Sequence, residues 1–285
     1  MRLNAESLVI DPESVAERIV KFLRARLSES KQKGFVFGMS GGLDSSTVAG
    51  LCAKTLRASD NLALIMPHTE SAKEDKEHAL LVAEKFKIPY RIIDITGAVH
   101  AVQENMFQLD SESTVHSKEP MLRNAVGNIK ARIRMINLYL AANTTDRLVV
   151  GSSDKSELLV GYYTKYGDGG TDILPIADLY KTQVRSLASH LGVPEVVIMK
   201  PSSPGLWKDQ TAEKEIGMEY EQLDLILYGL ERFMRPKEIA DELGLSVGIV
   251  NDVINRITNA EHKRRGGIVF KIGYRTPTLD WRIPL

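Results

Sequence analysis

The alternation of short apolar runs with amphipathic helical patterns is the feature that most limits how this chain can fold. The apolar runs have the length of buried strands and cover residues 35–39, 62–66, 90–95 and 147–151. The helical patterns between them cover residues 45–56, 72–86 and 124–142. Strands that alternate with helices predict βαβ units, and hence a doubly wound, mostly parallel sheet of the Rossmann-like α/β class.

The length of 285 residues fits a single domain with a helical C-terminal extension. We expect an α/β core over about residues 12–200, a lid loop over about 200–216, and C-terminal helices and a tail over about 217–285. Another polar, weakly patterned loop covers residues 110–119. Loops of this length often cover active sites, so both loops are candidate lids.

Composition and charge exclude several classes of protein. The formal net charge is zero, which gives no sign of a nucleic acid or anionic membrane partner. The apolar runs are too short to span a bilayer and the first twenty residues do not resemble a signal peptide, so we expect a cytoplasmic protein. The single cysteine, Cys52, excludes a disulfide or cysteine-based metal site within one chain, and its apolar helical neighbours Val48 and Leu51 predict a core residue.

Residues 38–46, Gly-Met-Ser-Gly-Gly-Leu-Asp-Ser-Ser, are the strongest functional signal, because they follow an apolar strand and open a helix. Two adjacent glycines let backbone N–H groups approach a ligand closely. The helix N-terminus adds unpaired N–H groups and a partial positive charge. Together with the hydroxyls of Ser40, Ser45 and Ser46, these groups predict an anion pocket suited to pyrophosphate.

Asp44 is the unusual member of this loop, because a carboxylate repels a phosphate unless a magnesium ion bridges the two. The loop is not a Walker A motif, since Leu43 stands at the place of the second glycine and no lysine follows. It does not match the dinucleotide-binding fingerprint either. The simpler alternative is a Gly-Gly turn in which Asp44 or Ser45 caps the helix.

The string Ser-Gly-Gly-Leu-Asp-Ser-Ser at residues 40–46 resembles the pyrophosphate loop of the N-type ATP pyrophosphatases. Those enzymes cleave ATP to AMP and diphosphate while they adenylate a substrate, and the resemblance implies their adenine nucleotide alpha hydrolase-like fold. Further blocks resemble the NAD synthetase family in the same order, over about residues 34–264. They cover residues 127–135, 150–157, 161–176, 179–184, 206–211 and 262–264.

The resemblance implies the last step of NAD biosynthesis, an ATP-dependent amidation of deamido-NAD with ammonia through an adenylated intermediate. Adenylation is needed because a carboxylate otherwise resists attack by ammonia. Glutamine-dependent members carry an added amidase domain, and no such domain fits before residue 34, so free ammonia is the expected donor. The family is homodimeric, so we expect a homodimer with no nucleic acid or membrane partner.

The resemblance also implies roles for individual residues. The implied ATP-binding residues are Gly38, Met39, Ser40, Gly41, Gly42, Leu43, Asp44, Ser45, Ser152, Lys181 and Ser203. The implied deamido-NAD-binding residues are Arg132, Lys165, Asp172, His262 and Lys263. Asp44 and Glu157 are implied to hold Mg²⁺, the expected cofactor. Lys181 is implied to stabilise charge during adenylation, and Asp168 is the candidate base for the incoming ammonium.

Two positions depart from the family pattern. Ser152 stands where threonine is common. Ala212 stands where the family has the aspartate of a Gly-Gln-Thr-Asp-Glu string, and an acid stands at Asp209 instead. A role of the family aspartate therefore has no counterpart at residue 212.

Two alternatives belong to other functional classes. Residues 236–254 have the pattern of a helix-turn-helix, with a Gly turn and a Ser cap, which would suggest a DNA-binding regulator. The second helix offers little positive charge before Arg256, and phosphate contacts dominate DNA affinity. Another pyrophosphate-loop enzyme, such as a tRNA thiolase, is the second alternative. Those enzymes commonly need catalytic cysteines or an RNA-binding module, which one cysteine and zero net charge argue against.

Overall fold

The structure is a computed structural model that describes residues 2–109, 119–207 and 210–276. Its sheet contains four parallel strands in the order β3-β2-β1-β4. The strands are β1 (Gly34–Gly38), β2 (Asn61–Ile65), β3 (Tyr90–Ile92) and β4 (Arg147–Val149). This arrangement confirms the predicted α/β class with a parallel sheet.

Helices precede, connect and follow the strands. Within the described ranges, the α-helices are α1 (Pro12–Ser30), α2 (Leu43–Thr55), α3 (Lys73–Lys85), α4 (Thr96–Leu109), α5 (Glu119–Thr145), α6 (Lys155–Val160), α7 (Lys181–Leu191), α8 (Glu195–Ile198), α9 (Ala212–Ile216), α10 (Tyr220–Glu231), α11 (Pro236–Leu243), α12 (Val247–Asn259) and α13 (Glu261–Arg264). Short 3₁₀ turns occupy Ala5–Leu8 and Ala58–Asp60. None of the helices in these ranges has the length and apolar character needed to cross a membrane.

The two faces of the sheet are both covered, which is the doubly wound arrangement. Along β1, Phe35 and Phe37 point into a core shared with α1, α2, α3 and α7, while Val36 points into a second core shared with α4 and α5. Because successive side chains of a strand alternate between faces, an apolar run such as β1 must be buried on both sides.

Some predicted boundaries differ from the observed ones. The third strand was predicted to reach residue 95 but ends at Ile92, although the Ile93 and Ile95 N–H groups still donate to the Ile65 and Pro67 carbonyls before α4 begins at Thr96. Sequence reasoning did not predict α4. The predicted lid loop contains α9, so its irregular part is shorter than expected. The other predicted lid, residues 110–119, lies almost wholly outside the described residues.

The suspected helix-turn-helix is present as α11 and α12, joined through Gly244 at φ +66°. Its apolar residues are directed into the C-terminal helical extension rather than left to support a DNA-reading surface. Ile239, Ala240, Val250 and Val253 pack with Tyr220 in a separate hydrophobic core. We conclude that this pair of helices completes the extension that flanks the sheet.

Candidate active site

The carboxyl edge of the sheet opens into a cleft of about 510 Å³. Its walls include the loops that follow β1, β2 and β4, which is where parallel α/β sheets bind ligands. Residues 200–207, which follow α8, line the cleft as well. The loops that the sequence singled out therefore meet in one place.

The glycine-rich loop after β1 is shaped for a bound anion. Gly41 has φ +77°, and a Cβ there would lie 2.1 Å from the carbonyl oxygen of Asp75, so no other residue fits. Ser40 Oγ lies 2.9 Å from Ser45 Oγ and accepts a hydrogen bond from the Gly42 N–H. No side chain caps the N-terminus of α2 at Gly42, so its first N–H groups remain directed at the cleft.

A buried cluster of charges lies beside this loop. Lys181 at the start of α7 is fully buried, and its Nζ lies 2.7 Å from Asp44 Oδ2, 2.8 Å from Asp154 Oδ2 and 2.8 Å from Glu157 Oε1. One oxygen from each acid lies within 4.8 Å of the others. We call Lys181 and these three acids the charged centre. Three carboxylates and one ammonium leave a formal charge of about −2 when all are ionised.

The charged centre perturbs its own members. Burial raises the pKa of Asp154 to about 6 against the opposing effect of Lys181, and burial also raises the pKa of Glu157 well above its ordinary value. Burial lowers the pKa of Lys181, but the nearby Asp154, Asp44 and Glu157 carboxylates together raise it well above its ordinary value. Lys181 is therefore a fixed positive charge, while the acids resist ionising together.

A second layer of hydrogen bonds orients the charged centre. Asp224 of α10, itself buried, accepts hydrogen bonds from Ser156 Oγ at 2.5 Å and from the Thr182 N–H at 2.9 Å. Ser156 Oγ accepts from the Lys181 N–H at 3.0 Å. Asp154 caps α6 by accepting from the Glu157 N–H at 2.8 Å. These contacts fix the beginnings of α6 and α7, from which Glu157 and Lys181 project.

Sequence reasoning missed Asp154 and Asp224. For Asp154 a local signal exists, because an acid three residues before Glu157 is the pattern of a helix N-cap. For Asp224 there is no comparable signal, since its partners Ser156 and Thr182 lie far from it in the sequence.

Comparison with known proteins decides the family. A profile described as NAD synthase matches residues 15–267 of the chain. The chain belongs to the NAD synthase family. This result confirms the family and the ligase class expected from the sequence, and it gives no support to a tRNA thiolase or a DNA-binding regulator.

The relatives span nearly the whole chain. An "NH(3)-dependent NAD(+) synthetase" of Saccharolobus solfataricus is 44% identical over 98% of this chain and 96% of its own length. One of Methanocaldococcus jannaschii is 43% identical over 88% of this chain and 94% of its own length. Among solved structures, the NH3-dependent NAD synthetase of Campylobacter jejuni has TM-score 0.73 at 30% identity, covering 92% of this chain and all of that one. The NMN synthetase of Francisella tularensis has TM-score 0.79 at 29% identity, with 93% and 100% covered.

The predicted ATP residues of this NAD synthase family member gather at the cleft. Ser152, Ser203 and the loop after β1 line it, except that Gly41 lies behind the wall. Lys181 lies beneath the lining and reaches it through Asp44 and Glu157. Their contacts with ATP remain predictions.

Of the five predicted deamido-NAD residues, Lys263 lines the cleft, while Arg132, Lys165, Asp172 and the exposed His262 lie outside its lining. Arg132 donates to the Lys165 carbonyl at 3.3 Å, Lys165 Nζ to the His262 carbonyl at 2.5 Å, and Lys263 Nζ to the Gly161 carbonyl at 2.7 Å. We call Arg132, Lys165 and Lys263 the basic rim. Neutral carbonyl partners hold these cations without cancelling their charge.

Asp172 stands apart from the basic rim. Its two oxygens accept hydrogen bonds from the Val149 N–H at 2.8 Å and from Tyr139 Oη at 3.0 Å. Both contacts hold β4 against α5, so this carboxylate already has a structural task beside any role towards substrate.

Asp168 lines the cleft and is exposed to solvent, although many protein atoms lie near its carboxyl. Burial raises the pKa of Asp168, opposed by the hydrogen bond that it accepts from the Thr164 N–H and by the positive charges of Lys263 and Arg134. A raised pKa makes a carboxylate a better proton acceptor.

Ala212, at the position of the family aspartate, is buried in the core of the C-terminal extension. Ala212 also lines the cleft, so a side chain at this position borders the candidate active site.

Proposed function

We propose that this NAD synthase family member is an ammonia-dependent NAD synthetase that amidates deamido-NAD with ATP. The observation that carries the proposal is the charged centre, which lies directly beside an anion loop in one cleft. A pocket for diphosphate and a buried lysine among acids are the parts that adenylation of a carboxylate requires.

The reaction has two chemical steps. A carboxylate oxygen of nicotinate attacks the α-phosphorus of ATP, and the bond to the bridging oxygen of diphosphate breaks. Ammonia then attacks the carbonyl carbon of the mixed anhydride, AMP leaves, and the extra proton of the nitrogen is lost. Positioning and charge stabilisation are the protein's main contributions to such a reaction.

The charged centre fits magnesium as its cofactor. The donors are carboxylate oxygens, the formal charge is about −2, and Asp44 Oδ1 is buried without a hydrogen-bond partner. Asp44 and Glu157 would hold the ion, which when bound supplies positive charge to phosphate oxygens. Asp154 adds a third carboxylate that balances Lys181.

The remaining roles follow from position. Ser40, Ser45 and the N-terminus of α2 bind the departing diphosphate, and Lys181 opposes the charge that develops on the phosphates. Asp168 accepts the proton of ammonium. The positive charges of the basic rim suit the pyrophosphate of deamido-NAD.

We further propose a cytoplasmic homodimer. Met121, Ile136 and Leu140 of α5 are 65%, 58% and 62% exposed, an apolar surface that a second copy would cover. The apolar character of this face is the support for a subunit contact there. Sedimentation of the parent and of a variant with Ile136→Glu and Leu140→Glu tests it.

One assay tests the proposed activity. The protein is mixed with deamido-NAD, ATP, magnesium and ammonium, and equal amounts of NAD, AMP and diphosphate are expected. Formation of ADP in proportion to NAD would contradict the mechanism. Nicotinate mononucleotide is offered in parallel, because a structurally similar protein is an NMN synthetase, and a clear preference for it would replace deamido-NAD as the substrate.

A further inference from the structure

Lys130 is a buried lysine that the proposed chemistry does not use. It lies on α5 with only 2% of its surface exposed. A lysine is rarely buried to this degree unless its ammonium group has specific partners. Its position therefore indicates a task that an apolar residue would not perform.

The partners of Lys130 come from two separate walls of the cleft. Its Nζ donates a hydrogen bond to the Leu206 carbonyl at 2.7 Å and another to Glu70 Oε2. Glu70 belongs to the loop after β2, and Leu206 belongs to the segment after α8. The hydrogen bond from Lys130 lowers the pKa of Glu70, which keeps that partner ionised.

The same face of α5 receives the next residue of that segment. The guanidinium carbon of Arg123 lies 4.7 Å from the centre of the Trp207 ring. A Cβ on Gly127 would lie 3.1 Å from Trp207 Cζ3 and 3.2 Å from Leu206 Cδ1, so glycine makes room for both. Residues 123, 127 and 130 are spaced four and three apart, which places them on one helix face.

We infer that Lys130 is a positioning residue that holds the Leu206–Trp207 backbone against α5, so that this segment keeps water out of the cleft. We call Arg123, Gly127 and Lys130 the α5 seat. The inference rests on the proposed function, because an adenylate is an intermediate that water would hydrolyse. Lys130 acts through the carbonyl that it holds and touches no reacting atom.

Other contacts also fix this segment, and among them the Ser202 carbonyl accepts a hydrogen bond from the Ala212 N–H at 2.9 Å. Lys200 pairs with Asp75 of α3 at the beginning, and the Leu206 N–H donates to Gln210 Oε1 at 3.0 Å near the end. Lys130 and the contact of Arg123 with the Trp207 ring hold the part formed by Leu206 and Trp207 against α5. Loss of the α5 seat should therefore release this part while the ends stay attached.

Two substitutions separate a positioning role from a merely structural one. Lys130→Met keeps the length of the side chain and removes both hydrogen bonds. Gly127→Ala adds one methyl group that crowds Trp207 and Leu206 and should displace them from α5, while the helix preference of alanine offsets part of the cost in stability. Lys237→Met is the matched control, because Lys237 is exposed on α11 and pairs with Asp241.

The experiment follows Trp207 fluorescence and the fate of the adenylate in a Trp281→Phe background, which leaves a single tryptophan. For Lys130→Met we expect easier quenching of Trp207 by acrylamide. The AMP released without NAD should rise about tenfold, as for the loss of one charge-assisted hydrogen bond. Gly127→Ala should change both readouts in the same direction by a smaller factor, and Lys237→Met should change neither.

The outcomes are distinct. Unchanged quenching and one NAD per AMP in Lys130→Met overturn the inference. If Lys130→Met does not fold, Gly127→Ala decides in the same way. If the parent protein forms neither NAD nor AMP from deamido-NAD, the proposed function fails, and quenching alone then decides whether the α5 seat holds Trp207.

Discussion

The charged centre and the basic rim show two ways in which one chain can present charge to a substrate. In the charged centre, Lys181 is fully buried and touches three carboxylates directly. In the basic rim, Arg132 is exposed and its partner is a backbone carbonyl. Buried charges interact strongly because water screens them poorly, whereas exposed charges are weakened by water and salt.

The difference teaches which effects to expect from each region. Members of the charged centre are fixed before substrate arrives, so their loss should lower the rate of chemistry. If members of the basic rim bind deamido-NAD as we propose, their loss should weaken binding while the rate of reaction of the bound substrate stays similar. Each prediction below tests this contrast between an effect on the rate and an effect on binding.

The largest effect is expected at Asp44. Asp44→Asn keeps the shape of the side chain but removes its charge, and adenylation should slow by a factor on the order of a hundred or more. Apparent magnesium affinity should weaken too. The measurement is single-turnover adenylate formation across a magnesium titration, and a variant that matches the parent throughout would remove Asp44 from the metal site.

A double variant sharpens this result. Glu157→Gln should act in the same direction as Asp44→Asn, and the two should be non-additive because both act through one ion. The effects of Asp44→Asn and Arg132→Gln on the free energy of activation, by contrast, should be additive, since the two residues share no partner. Additivity within the charged centre would show that its acids act independently.

Asp154→Asn should have a smaller effect of about tenfold on adenylation, about 1.4 kcal/mol in the barrier. Asparagine caps a helix about as well as aspartate, so α6 should keep its start while Lys181 loses one partner. Asp11→Asn is the matched control, because Asp11 caps α1 away from the cleft. Equal rates for Asp154→Asn and the control would show that Asp154 serves only as the N-cap of α6.

Arg132→Gln tests the basic rim. The KM for deamido-NAD should rise about tenfold, as for the loss of one hydrogen bond to a charged group, with kcat little changed. Arg235→Gln serves as the control, because Arg235 is an exposed arginine paired with Glu238 on the helical extension. A fall in kcat with unchanged KM would show that the basic rim, like the charged centre, affects the chemical step rather than binding.

The smallest effect is expected at Cys52, which contacts neither region. Its thiol is buried and burial raises its pKa far above the ordinary value, so it is a poor nucleophile. Cys52→Ala should leave ammonia-dependent activity largely intact. Glutamine free of ammonia should not replace ammonium in either protein, and equal turnover with glutamine would refute this.

Local sequence predicted the strand, the glycine turn and the helix start around residues 38–46, because these lie within a few residues of one another, while anion binding by this loop stays a prediction. The family resemblance supplied Lys181, Asp44 and Glu157, which the fold brings together. It did not reveal that Asp172 holds β4, because the partners Val149 and Tyr139 are visible only after folding. Helix α4 escaped prediction even though half of its residues are apolar, and Gly97 in its first turn weakens the local helical signal.

The strand order has a consequence for the order in which the enzyme can form. Strand β1 pairs with β4 between Gly34 and Arg147, and Lys181 reaches back to Asp44 across a still longer stretch of chain. A ribosome that adds about 5–20 residues per second needs several seconds to pass from one partner to the other. During that time the nascent chain holds the anion loop and Asp44 without the lysine that balances it. Catalytic competence must therefore arrive late in synthesis, after all four strands of the sheet have been made.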